Sequence, residues 1–197
     1  MIVEYKTITR EQFLFNEMRI VAGLLLENKS DKEIFEEIEK DNLFQYPTNT
    51  SIRNITSVCL RRFHNVEDKR VLEVVSKGSP LEARQMCLFL MIEYYKLVRD
   101  FMVGIVGNKY SNHDYTFIRR DINSFFSRMQ EQNDTIASWS EGTIGKCKQV
   151  LMKLLVDNEY LDSLKTEKLN FIYLSNTNKE IISDIDKSVL CAFNCFE

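Results

Sequence analysis

Residues Phe125 to Leu161 read FFSRMQEQNDTIASWSEGTIGKCKQVLMKLLVDNEYL, and the spacing of their apolar side chains decides the fold class. Ile144, Cys147, Leu151 and Leu154 recur at three- and four-residue intervals, which is one face of an α-helix. Gly142, Lys146, Gln149 and Lys153 take the other face. The spacing predicts a helix from about Ile118 to Gln132, a short turn around Trp139, and a second helix opened by Ser138 or Ser140 and running to about Asp157. Beyond it, Leu169-Asn170-Phe171-Ile172-Tyr173-Leu174 is rich in β-branched and aromatic residues. It reads as a strand, with Tyr160 to Leu164 as its hairpin partner.

Outward from this stretch the chain is helical. Thr9 and Gln12 have capping-box spacing ahead of a helix from about Arg10 to Glu27. Ser30 and Glu33 start a second helix whose outer face is acidic, with seven acids against three lysines between Glu27 and Asp41. After a turn at residues 42–49, Thr50 or Ser51 opens a third helix to Phe63, and Glu67 to Lys77 form a fourth. Ser79-Pro80-Leu81-Glu82 places a cap, a proline at the first helical position and a glutamate at the third. The long helix that follows, to about Val106, is apolar nearly all round and reads as the central one. A polar loop at 107–115 suggests regions 1–107 and 108–197, and Lys179 to Phe193 form a closing helix. The expectation is an all-α, multi-helical bundle with two helix-turn-helix-like elements and a small C-terminal β-hairpin wing.

The composition agrees. Of 197 residues, 44 % are hydrophobic, enough for a sizeable core, and only two are proline and six glycine. The net charge of −3 excludes a protein that coats nucleic acid by bulk attraction, so any DNA contact must be local. Five cysteines, an odd number without a CxxC pair, read as reduced thiols of a cytoplasmic protein. Glu4, Lys6 and Arg10 interrupt the N-terminus as no signal peptide would. Met86 to Val106, the most apolar long stretch, holds Glu93, Lys96, Arg99 and Asp100 and is expected not to enter a membrane.

Chemistry is sparse. His64 and His113 have no nucleophile motif around them, Asp114 and Asp121 resemble ordinary surface acids, and no HExxH, GxxxxGK[ST], GxSxG or GxGxxG is present. No enzyme, metal or cofactor is expected. Two basic islands stand out instead. Residues 51 to 70 hold five basic and two acidic side chains, and residues 140 to 155 hold three lysines and one acid. A helix that enters a major groove needs polar side chains on its outer face. Arg53, Asn54, Ser57, Arg61 and Arg62 meet that need in the third helix, and Thr143, Lys146, Gln149 and Lys153 in the later one. Ordinary solvated faces of a bundle carry similar residues. Trp139, the single tryptophan, is expected to anchor its turn in the core.

Several short pieces share an order and spacing. They are Asn42-Leu43-Phe44-Gln45, Ser51-Ile52 with Arg61-Arg62-Phe63, Asp100-Phe101-Met102, Asp121-Ile122 with Phe125-Phe126, and Ala137-Ser138-Trp139-Ser140 with Thr143-Ile144 and Lys148-Gln149. Together they resemble the BrxA family of bacterial BREX anti-phage systems over about residues 10 to 165. Gly142 and Gly145 depart from the family pattern, standing where a serine and a basic residue are expected. The resemblance implies a partly NusB-like helical fold, binding of double-stranded DNA with RNA as an alternative ligand, other BREX proteins as partners, and no enzymatic activity. A helical adaptor that docks on larger BREX components is the rival expectation.

Overall fold

The structure, a computed structural model, describes residues 5–9 and 12–196. Its contacts divide the chain into two compact units, Leu14–Tyr94 and Tyr95 onward together with the described residues before Leu14. The polar loop expected as a boundary lies within the second unit.

The unit Leu14–Tyr94 contains α1 (Phe15–Leu26), α2 (Asp31–Asp41), α3 (Asn49–His64), α4 (Lys69–Lys77) and α5 (Pro80–Tyr94). The first helix begins at Phe15 rather than near Arg10, because Leu14 sits in the left-handed region at φ 57° and helical bonding starts only after it. Arg10 itself lies outside the described residues. Local chemistry sets the other starts. Ser30 accepts from the Glu33 N–H while the Glu33 carboxylate accepts from the Ser30 N–H, closing the box that caps α2. Thr48 caps α3 and Asp68 caps α4, each contributing about 1 kcal/mol to its helix. Met18, Val21, Ile34, Ile38, Val71 and Val75 are fully enclosed; α1, α3 and α4 pack on α5, where Gln85 through Ile92 are all buried. That continuous burial explains why α5 lacks an amphipathic pattern.

The expected single helix from Ser79 to Val106 does not form. Tyr95 has φ −109° and ψ 106°, an extended conformation that ends α5. The chain resumes as α6 (Lys96–Phe101) and then a π-helical turn (Met102–Gly107) before α7 (Asn108–Ser111). Burial of the Tyr95 side chain, not a proline or glycine, accompanies the break. Val103, Gly104 and the hydrogen-bonded pair Tyr5–Asp100 border a cavity of about 400 Å³ together with Arg128.

The rest of the second unit comprises α8 (Arg119–Gln132), α9 (Asp134–Ala137), α10 (Glu141–Asp157), α11 (Asn176–Asp186) and a 3₁₀ stretch (Lys187–Phe193). Phe101 stacks edge-on against Phe117 and Phe125, with centroids 6.1 and 5.4 Å apart, and Phe125 continues to Phe126 at 5.3 Å. Tyr160, fully buried, donates to the Ala192 carbonyl at 2.9 Å and so ties the C-terminal stretch to the end of α10. Asp186 is partly desolvated, but hydrogen bonds from Ser188 and Arg99 outweigh that and hold its carboxyl below the usual carboxylate range.

The β-hairpin wing is absent among the described residues. Residues 160–175 carry no strand, and the single β-bridge there pairs Lys168 with Thr116, not with Tyr160–Leu164. The reason lies in the side chains. Tyr160 and Leu161 are pulled into the core, so they cannot also form the edge of an exposed ribbon. Asn170 is fixed instead by its own backbone and amide bonds to Tyr160, Glu159 and Asp162.

Glycine in α10 has a thermal consequence. A Cβ built on Gly145 meets no heavy atom within 4 Å. Gly145→Ala is therefore expected to stabilise the protein by about 0.5–1 kcal/mol, because only backbone freedom in the unfolded chain is lost. A Tm rise of roughly 1–4 °C in a calorimetric scan checks this, and a fall would reveal hidden crowding at the site.

Candidate nucleic-acid interface

The α2–turn–α3 element presents less cation than its sequence promises. Arg53 is exposed, yet its guanidinium donates to Glu39 of α2 through Nε at 2.9 Å and Nη2 at 2.8 Å. Asn54 and Arg61 are exposed, and Ser57 is half-buried. Arg62 is 0 % exposed and belongs to the core, close enough to Cys87 to affect its thiol, so it is withdrawn from any surface that meets a ligand. Spacing explains the outcome. Cys59, Arg62 and Phe63 share the inward face at three- and four-residue intervals, while Arg61 points away. Three acids of α2 are likewise engaged at home: Asp31 with His64 at 2.9 Å, Glu37 with Lys29 at 2.6 Å, and Glu39 with Arg53.

The α8–α9–α10 element keeps its cations open. Ser140 caps α10 by accepting from the Thr143 N–H at 3.2 Å, and its hydroxyl also lies 3.0 Å from Thr143 Oγ1. Thr143 is therefore half-buried and committed to the cap. Glu141 in the first turn offsets the partial positive charge of the helix start. Further along, Lys146, Gln149 and Lys153 are all exposed, and none has a side-chain partner among the described residues. Ile144, Cys147, Leu151 and Leu154 are buried on the opposite side, as the periodicity predicts. Gly142 is exposed, with only the Ser140 hydroxyl near the space a side chain would fill, at 3.9 Å. Trp139, expected as a core anchor, is only partly enclosed.

Sequence reasoning missed α8 as a contributor. Arg119, Arg120 and Arg128 are exposed on it, with Asn123, Ser124 and Ser127 between them. Those three arginines have no hydrogen bond or ion pair with any described residue. Lys148 of α10 donates to Asn123 Oδ1 at 2.8 Å and stands 5.6 Å above the Phe126 ring, so α8 and α10 are tied together. The adjacent Arg119-Arg120 pair at the helix start was the available signal. The two candidate faces, on α3 and on α8 with α10, belong to different units. Among the described residues no group of three or more His, Cys, Asp or Glu is placed to hold a metal, and no helix is long and apolar enough to cross a membrane.

A family model described as BrxA matches residues 4–186. A "BREX protein BrxA" of Bacillus cereus (strain H3081.97) is 28 % identical over 159 residues, covering 81 % of this chain and 79 % of that one. One from Escherichia coli O9:H4 (strain HS) is 24 % identical over 175 residues, covering 88 % and 81 %. The crystal structure of an uncharacterized protein from Magnetospirillum magneticum superposes with a TM-score of 0.81 at 20 % identity, covering 98 % of each chain, and so has the same fold.

Proposed function

This chain belongs to the BrxA family, and from that premise we propose that it is a non-enzymatic accessory protein of a BREX phage-defence system that binds duplex DNA through backbone phosphates. The observation that carries the reading is the outer face of α10. Lys146, Gln149 and Lys153 stand exposed there without a partner among the described residues. In a chain of net charge −3, with acids available to pair with such cations, a face left open in this way suits an anionic surface. Lysine-to-phosphate contacts position a protein on DNA without reading bases, which matches a helix whose first two turns carry Gly142 and Gly145 in place of longer side chains. The rival, a helical adaptor acting through its acidic α2 face, is weaker because Asp31, Glu37 and Glu39 are already engaged within the unit.

A salt titration of duplex affinity tests the reading. Fluorescence anisotropy of a labelled blunt duplex is expected to give log affinity falling linearly with log salt, with a slope of about 0.9 for each phosphate contacted. No binding at low salt would reject DNA and return the adaptor.

A further inference from the structure

The cavity of about 400 Å³ beside the π-helical turn has walls from one unit only, Tyr95 onward with the described residues before Leu14. Its size falls in the range of about 300–1,000 Å³ that small-molecule sites occupy. Phe125, Arg128, Met129 and Gln132 border it from α8, at the three- and four-residue spacing of one helix face. Val103, Gly104 and Ile105 border it from the π-helical turn, a local geometry that recurs at functional sites. Val103 and Ile105 are half-buried, and Phe125 and Met129 are buried, so the enclosed part is apolar. Gly104 is exposed, and a Cβ built on it would meet no heavy atom within 4 Å, which leaves that side open to approach. The charged groups around the cavity are not equivalent. The Arg99 guanidinium is bound to the Asp186 carboxylate and donates to Ser188 Oγ at 2.8 Å. The Asp100 carboxylate accepts from the Tyr5 hydroxyl. Burial, with that carboxylate beside it, pushes the Tyr5 hydroxyl up, so it stays a proton donor to Asp100. Lys96 Nζ is held 4.3 Å from the centroid of the Tyr5 ring. Arg128 differs from these. It is exposed at the rim and has no hydrogen bond or ion pair with any described residue. Its fork of N–H donors stands beside an apolar recess, the combination that recognises a carboxylate carried on an apolar body.

We propose that this cavity binds a small organic monocarboxylate, with the carboxylate on Arg128 and the apolar body against Val103, Ile105 and Met129. The headgroup follows from charge. A carboxylate matches the planar guanidinium fork bidentately and offers one negative charge for one positive. A phosphate monoester carries about −1.5 to −2 at pH 7, and its excess charge would meet the Asp100 carboxylate across the same cavity. The body follows from the walls. Apolar side chains enclosed on two sides, from α8 and from the π-helical turn, give a ring or short hydrocarbon a surface to leave water for. The inference goes beyond the DNA reading and does not rest on it, since that reading is carried by α10.

The test uses the full chain without DNA and four probes: cinnamate, its neutral isostere cinnamamide, phenyl phosphate, and acetate as the bare headgroup. Isotope-labelled methionine methyl groups report binding by NMR, the Met129 signal being assigned from a Met129→Leu spectrum. Cinnamate is expected to shift the Met129 methyl with a Kd on the order of 1 mM, as suits a ligand of its size. Cinnamamide, phenyl phosphate and acetate should each bind about tenfold or more weakly, because each lacks either the single charge or the body. Arg128→Gln should lose about tenfold or more for cinnamate, and Arg128→Lys should keep part of the affinity. Arg120→Gln, at an equally exposed arginine of α8 that does not border the cavity, should bind cinnamate as wild type does. Arg128 is exposed, so its variants keep their stability, which a thermal scan verifies. The proposal is overturned if cinnamate leaves Met129 unmoved at about ten times that concentration, or if Arg128→Gln binds it undiminished. Cinnamamide binding as tightly as cinnamate, or phenyl phosphate binding more tightly, overturns the carboxylate assignment. If no probe moves Met129 while Arg128→Gln weakens blunt-duplex binding, Arg128 is a phosphate contact and the cavity proposal falls while the DNA reading stands.

Discussion

A Lys146→Ala/Lys153→Ala protein is expected to bind blunt duplex about 60-fold more weakly than wild type at 0.1 M salt. Each lysine-to-phosphate contact contributes about 0.9 to the slope of log affinity against log salt, and the electrostatic gain extrapolates to nothing near 1 M. One contact at 0.1 M is therefore worth about eightfold, and two independent contacts multiply. The loss should be the same for every duplex sequence, since these contacts carry no base information. The salt slope should flatten by about 1.8 in the same titration. Both lysines are exposed on α10 and make no contact that folding uses, so the Tm should hardly move. A variant with wild-type affinity and slope would remove α10 from the interface.

The second large effect separates neighbours on α3. Arg62→Ala is expected to destabilise the protein by about 3–5 kcal/mol, while Arg61→Ala changes stability by less than about 0.5 kcal/mol. Arg62 is among the largest fully buried side chains, so truncation leaves a cavity and strands the groups packed around its guanidinium. Arg61 is exposed and touches nothing that truncation would strand. Urea unfolding measures both. Equal midpoints would show that the guanidinium is not enclosed as described. For DNA the order reverses: Arg61→Ala can alter affinity, whereas Arg62→Ala should leave the affinity of the folded fraction unchanged.

Local signals in the sequence were dependable where the chemistry was local. Ser30 with Glu33, Ser79 with Pro80 and Glu82, and Ser140 ahead of Thr143 each mark a helix start that the structure contains, because a cap needs only residues three apart. The buried face of α10 was equally legible from its period. What escaped depended on distant partners. The break at Tyr95 carries no breaker residue, and the propensity of the flanking residues runs straight through it. The strand-like run at 169–174 met the β pattern, but the Tyr160 side chain was drawn into the core, where its hydroxyl donates to the Ala192 carbonyl thirty-two residues away. At the candidate site, the exposure of Lys146, Gln149 and Lys153 followed from periodicity. The pairing of Arg53 with Glu39 depended on how α2 packs against α3, which no spacing within α3 reveals.

The π-helical turn at Met102–Gly107 has a consequence for how chains of this kind can differ in length. A π turn closes its hydrogen bonds one residue further along than an α turn, so it accommodates one residue more within an otherwise continuous helix. Deleting a single residue there, Gly104 being the exposed one whose absent side chain displaces nothing, would let the segment relax to ordinary α geometry without tearing the helix. The same deletion at the centre of α5 would rotate every later side chain of that helix by about 100° and turn its buried residues outward. Between Tyr95 and Ser111, then, a one-residue gap in an alignment is the natural place for relatives to part, and their residue counts can change there while the flanking faces keep their register.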